Sequence, residues 1–306
     1  MSDVEYHLDA STFQEPLIQL AEVLAQKVKR ELPAILGAPG FVSVDLHVLI
    51  RQAMYTYNLL FYLNADERRQ KDPHWRTAYG IVVLPLVRNM IDDLYNVTAI
   101  LQSPATNGTR FRMSGFRAAL AAFDEDEARY GGRPEWDEWI RKGRDQIDFA
   151  IRACGLKTAE VVSQPVQWPT MGKYIKDKQP GGTTTTHQDF LRRFTYGQWR
   201  EYSAIAHGTF EGLLPLAMFL TSDSLPLEDR PKLEEVYPRI LCLHTARAAS
   251  ILLCIITELQ AQFHFDGASI NQRIQKMWNA LMQVFEVKEL YNERYAQLMK
   301  DKGIDP

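Results

Sequence analysis

The sequence predicts an all-α protein: a bundle of about eight helices around a four-helix core, folded as a single domain over residues 1–306. Three observations carry this. Apolar residues recur at helical rather than alternating spacing through nearly every long segment, the pattern of helices that bury one face. Gly, Pro and Asn clusters punctuate those segments where helices must stop. Hydrophobic residues make up 46% and charged residues 24% of the chain, proportions that support a folded core and exclude global disorder.

The first predicted helix runs from Thr12 to Leu32, with Leu17, Leu20, Ala21, Val23, Leu24 and Val28 on its apolar face, and stops at Pro33 and Gly37. Gly37-Ala-Pro-Gly40 is a turn. Asp45 to Leu63 is a second helix, and Lys71-Asp-Pro-His-Trp75 separates it from a third over about Arg76 to Leu101, which Pro85 is expected to kink. Ser103-Pro-Ala-Thr-Asn-Gly108 reads as a loop. Phe116 to Tyr130 is helical, Gly131 to Pro134 a break, and Pro134 opens a helix that ends near Cys154-Gly155.

Residues 156–186 form an irregular excursion rich in Pro, Gly and Thr, with a short helix around Lys173. A stretch of that length is expected to be mobile and to border the functional site as a lid. His187 to Leu220 follows, with Thr186 and Asp189 in capping-box spacing, and Gly208 and Pro215 placed to bend it. Ser222 to Pro231 is a turn, Lys232 to Phe263 a long helix, and Ile270 to Lys302 a final amphipathic helix with a break near Val287. The core helices are therefore 42–64, 76–102, 187–221 and 232–264. The N-terminal helix, the 116–155 pair and the C-terminal helix are expected to pack around them.

A net charge of −3 excludes a protein that coats nucleic acid by charge alone. Cys154, Cys242 and Cys254 form an odd set without CxxC spacing, with Cys242 and Cys254 in apolar helical sequence, which reads as buried thiols in a reducing compartment. The N-terminus Met-Ser-Asp-Val-Glu-Tyr-His lacks the basic start and apolar stretch of a signal peptide, so a cytoplasmic location is expected. The most apolar helix, Ile240 to Ile256, carries His244 and Arg247, which argues against a membrane span.

Two polar constellations interrupt apolar helices. Gln198-Trp-Arg-Glu-Tyr-Ser-Ala-Ile-Ala-His-Gly208 carries Arg200, Tyr202, Ser203 and His207. At about 100° per residue, the step from Arg200 to His207 is nearly two full turns, so both point from one face. Arg88 and Asp92 stand at the i,i+4 spacing that lets them touch, on the run Ile81 to Asp92. Charges on an apolar stripe are expensive to bury unpaired, so this pair is expected to be buried and to face the Tyr202 and His207 helix. Arg88 then suits a bidentate anchor for a carboxylate or phosphate, oriented by Asp92.

Leu84-Pro-Leu-Val-Arg-Asn-Met-Ile-Asp-Asp-Leu-Tyr95 together with Tyr202-Ser-Ala-Ile-Ala-His-Gly208 resembles a bacterial family of all-helical proteins of unknown function. In that family an Arg helix with an acid one turn on precedes a helix bearing Tyr, Ser and His. Arg88, Asp92, Tyr202, Ser203 and His207 fill those places here, with Asp93 adjacent to the acid position. That family is in turn similar to the HEPN superfamily, whose Arg-x4-6-His motif implies metal-independent RNA cleavage. Arg200 and His207 match it, with Glu201 standing where the family prefers Asn, Asp or His. Arg69 with His74 and Arg239 with His244 also match the spacing.

The resemblance implies an endoribonuclease in which His207 and Arg200 are catalytic and Arg88, Asp92, Tyr202 and Ser203 hold the ligand. RNA is then the partner. The alternative is a non-catalytic binding or interaction module whose Arg88, Asp92, Tyr202 and His207 cluster holds a small anionic ligand or fixes the bundle. There His207 is a helix-end histidine bonded to a carbonyl, Arg200 a surface cation, and Arg88 with Asp92 a pair that fixes helix register. No cofactor is implied. The histidines are scattered without HExxH spacing, and Gly181-Gly-Thr-Thr-Thr-Thr186 lacks the P-loop lysine. The apolar patterns of the long C-terminal helices suit a homodimer.

Overall fold

The computed structural model describes residues 13–37, 39–65, 84–163, 167–177, 186–220 and 230–304, and every regular element among them is helical. Helix α1 (Gln14–Arg30) buries Leu17, Leu20, Ala21, Leu24, Ala25 and Val28, one stripe at three- and four-residue steps. It closes with Lys27, Lys29 and Arg30 at its negative end. A short helix α2 (Leu32–Leu36) takes Pro33 in its first turn and stops at Gly37, whose φ of 52° suits a residue without Cβ. Helix α3 (Gly40–Ala65) packs along α1.

Helix α4 (Leu84–Leu101) is central. From Asp93 to Leu101 every residue but Asn96 is buried, because α4 touches α3, a fifth helix α5 (Pro104–Tyr130) and two later helices. Any kink at Pro85 involves residues 76–83, which lie outside the described residues. The loop expected at Ser103 to Gly108 is instead the first turn of α5: Pro104 enters it, and Asn107 Nδ2 donates to Ala99 O at 2.7 Å. Gly108 is needed there as a contact, since a Cβ would come 2.7 Å from Val42 Cγ1. Helix α6 (Pro134–Ala153) folds back on α5, and the pair encloses a small core of Met113, Phe116, Leu120 and Ile151, which Val161 of α7 (Thr158–Ser163) completes.

After a four-residue helix α8 (Met171–Tyr174), the predicted helix over 187–221 arrives in pieces. Helix α9 (Thr186–Phe190) passes through a π-helical turn, Leu191–Thr195, into α10 (Tyr196–Ala206). The chain then turns at Gly208, where φ is 62°, and α11 (Phe210–Leu220) folds against α10. At that corner a Cβ on Gly212 would stand 2.2 Å from the Ala204 carbonyl carbon. The bend is thus a break between two helices rather than a curve in one rod.

Helix α12 (Arg230–Phe263) is buried all round from Ala248 to Ala261 and packs on α3 and α4. Helix α13 (Gly267–Leu281), α14 (Phe285–Leu290), a second π-helical turn at Tyr291–Tyr295 and α15 (Ala296–Asp301) complete the fold. The predicted C-terminal helix therefore breaks just before α14. Inside, Arg294 closes the buried Glu258 through two bonds of 2.6 and 2.9 Å, and the Tyr295 hydroxyl donates to the same carboxylate at 3.1 Å. Helix α1 belongs to the core instead of surrounding it, because it also reaches α12 and α13. Among the described residues no helix is long and apolar enough to cross a membrane.

Candidate functional site

Arg88 and Asp92 stand one turn apart on α4 and meet α10. Arg88 Nη2 lies 3.9 Å from Asp92 Oδ2, and the two side chains keep 27% and 34% exposure. The pair is therefore loose and reached by solvent, not sealed between helices as its apolar stripe suggests. The residue of α10 that it meets is Trp199, in place of Tyr202 or His207. The indole Nε1–H donates to Asp92 Oδ1 at 2.9 Å, and the guanidinium carbon sits 5.4 Å from the ring centroid. Arg88 Nε is buried without a hydrogen-bond partner among the described residues. Burial raises the Asp92 carboxyl above its ordinary value, against the opposing pull of the Trp199 bond and the Arg88 charge.

The facing wall comes from the excursion and α5. Trp168 is held at two points: its backbone N–H donates to Ser114 Oγ at 3.0 Å, and its Nε1–H to Asn96 Oδ1 at 2.9 Å. The Tyr95 hydroxyl donates to Pro169 O at 2.6 Å, and Phe111 meets the Trp168 ring nearly edge to face at 5.3 Å. Met171 and Ile175 are buried beside them. The described part of 156–186 is thus docked, and it borders Arg88 instead of His207. Trp168, Met171 and Ile175 provide apolar anchors that the Pro, Gly and Thr around them obscure. The walls line a solvent-open cavity of about 760 Å³. A second guanidinium lines it, but Arg112 is closed by Asp45 at 2.9 and 2.6 Å, with Phe41 O accepting at 3.3 Å.

Arg200 and His207 are both exposed and line a separate depression of about 800 Å³. Trp199 belongs to the lining of both cavities. His207 ends α10, its backbone N–H donating to Ser203 O at 2.9 Å. Its imidazole makes no hydrogen bond among the described residues, so the carbonyl bond of a structural helix-end histidine is absent there. Ser203 is buried, and its Oγ has no partner among the described residues.

Tyr202 turns inward and is fully buried. Its oxygen accepts from Arg247 Nη1 at 3.4 Å and shares a hydrogen bond of 2.8 Å with His244 Nδ1, whose direction follows the imidazole tautomer. Burial, with the nearby Arg247 charge, pushes His244 down to about 3, leaving a neutral ring at neutral pH. Arg247 is fully engaged: Nε and Nη2 donate to Glu286 at 2.9 and 3.1 Å, and Nη1 to Glu201 at 3.2 Å. Glu201 thus serves an ion pair with Arg247. Arg88 and Asp92 share one cavity, Arg200, Ser203 and His207 another, and Tyr202 is enclosed between α10 and α12.

Asp93 is a further buried group. It is 2% exposed, its Oδ2 has no partner among the described residues, and burial with the adjacent Asp92 pushes its carboxyl up to about 8. One helical step of about 100° separates the two acids, which turns Asp92 to the cavity and Asp93 to the core. For Trp199 and Trp168 no local pattern points to a binding role, since a lone tryptophan in sequence reads as core. Among the described residues no three His, Cys, Asp or Glu side chains converge on a metal-sized space. No family model matches the chain, nor does any curated protein or solved structure.

Proposed function

We propose that the chain binds a small anionic molecule in the cavity between α4, α5 and α10, with Arg88 as its anchor. The observation that carries this is the state of Arg88. A guanidinium presents five N–H donors. Among the described residues Arg88 has one carboxylate contact, at 3.9 Å, and a buried Nε with none, whereas Arg112 in the same cavity is closed on two sides. A carboxylate or phosphate on Arg88 supplies the missing acceptors, and Asp92 with Trp199 orients the guanidinium. The cavity of about 760 Å³ falls within the size range of small-molecule sites. Thermal melting with phosphate or acetate tests it. Either anion should raise the melting temperature of the wild type and leave Arg88→Gln unmoved, and equal shifts in both proteins would sink the reading.

A second reading has its own observation, the exposure of Arg200 and His207 on one depression. In it the chain is a HEPN-like, metal-independent endoribonuclease. His207 acts as general base or acid on a 2′-hydroxyl, and Arg200 stabilises the charged phosphorane. Tyr202 has no part in positioning the strand in this reading, because it is buried. Cleavage of a mixed RNA pool that persists in chelator and disappears in His207→Ala supports it, while intact RNA with the wild type removes it. In both readings we expect a cytoplasmic protein with Cys154 and Cys254 as free thiols, and a homodimer whose mass in solution is twice that of the chain.

A further inference from the structure

We infer that the anion in the Arg88 cavity is carried on a flat aromatic ring. This rests on the reading of Arg88 as an anion anchor and adds what the rest of the cavity recognises. Both indoles that wall the cavity have their N–H groups satisfied by the protein, Trp199 by Asp92 and Trp168 by Asn96. Trp168 therefore offers a ligand its ring rather than a hydrogen bond, while Trp199, stacked on Tyr196 and carrying the Arg88 guanidinium 5.4 Å from its ring centroid, offers its edge beside that cation. Neither ring is free to turn away. Trp168 is fixed at its indole nitrogen and its backbone, with Phe111 against its ring, and Trp199 is fixed by Asp92 and stacked on Tyr196, 5.9 Å away and 11° from parallel. Rigid aromatic walls of this kind lose little entropy when a planar ring is laid against them.

The polar groups complete the description. Arg88 meets the anionic end. Asn96 accepts from Trp168 through Oδ1, which leaves its amide N–H groups for an acceptor on the ring. Arg112 and Asp45 satisfy each other, so they add polarity without a second anchor. The ligand class is a single aromatic or heteroaromatic ring system bearing one carboxylate or phosphate, a description that covers aromatic acids and nucleoside monophosphates alike.

Calorimetric titration of the full chain with two matched pairs tests this. The first pair is 2-naphthoate and cyclohexanecarboxylate, and the second is adenosine 5′-monophosphate and ribose 5-phosphate. In at least one pair the aromatic member should bind ten times or more tighter than its saturated partner, and which pair shows the ratio identifies the anion. Trp168→Leu should bring that ratio toward one, and Phe111→Leu should do the same in part if the first variant does not fold. Equal affinities within both pairs, abolished by Arg88→Gln, would overturn the aromatic inference and leave the anion site standing. Binding that Arg88→Gln does not weaken, or no binding by any of the four, would overturn both.

Discussion

Replacing Asp93 with Asn is expected to stabilise the protein at neutral pH and to leave it almost unchanged near pH 4. The carboxyl is 2% exposed, has an unpartnered Oδ2 and sits beside Asp92, and these push it from 3.8 up to about 8 in the fold. Below 3.8 folded and unfolded chains both hold the proton. Between 3.8 and about 8 the unfolded chain releases it while the fold retains it, so stability falls as pH rises through that window and levels off above it. At about 1.36 kcal/mol per pH unit, the interval up to neutral pH is worth roughly 4 kcal/mol. Asn keeps the shape and a donor but cannot ionise. Urea unfolding of both proteins at pH 4 and pH 7 gives the difference directly, because the other titrating groups are common to both and cancel. The variant should gain under about 0.5 kcal/mol at pH 4 and about 3–5 kcal/mol at pH 7. Parallel profiles, or a variant weaker than wild type at pH 7, would show that Asp93 is ionised and paired in the fold.

His244 carries the opposite sign. Its folded value near 3 lies below the ordinary 6.5, so its contribution is present above pH 6.5 and is lost as pH falls toward 3. Tyr202→Phe leaves His244 Nδ1 without its partner and should lower stability by about 1–3 kcal/mol in urea unfolding at pH 7; no measurable loss would mean that water replaces the phenol. Asp92→Ala should lower stability by only about 1–2 kcal/mol, the solvent-reached ion pair contributing at most about 1 and the Trp199 bond the rest. A loss of 4 kcal/mol in the same assay would mean a sealed pair. Gly212→Ala should lower the melting temperature by several degrees, since backbone and not a flexible side chain stands 2.2 Å from the new Cβ, and a loss of about 1–3 kcal/mol follows from forcing α10 and α11 apart. An unchanged melting temperature would show that the corner relaxes freely.

By itself the sequence determined the all-α class, the apolar stripe of α1, the break at Gly131–Pro134, the stop at Cys154-Gly155 and a change of direction at Gly208 that it read as a bend in one helix. All of these depend on local spacing and on residues whose backbone preferences are local. The same spacing brought Arg88 near Asp92. Tertiary packing decided the rest. It gave Arg88 the Trp199 ring from a distant helix, docked Trp168 onto Asn96 across 72 positions, and joined Tyr202 to His244 across 42. It also drew Ser103 to Gly108 into helix α5, because Gly108 lets the chain close on Val42, a contact that turn chemistry cannot reveal. The physical reason is common to all four. Helical periodicity states which side chains share a face, but what that face meets depends on how all the helices pack at once, and partners so far apart in the chain leave no periodic trace.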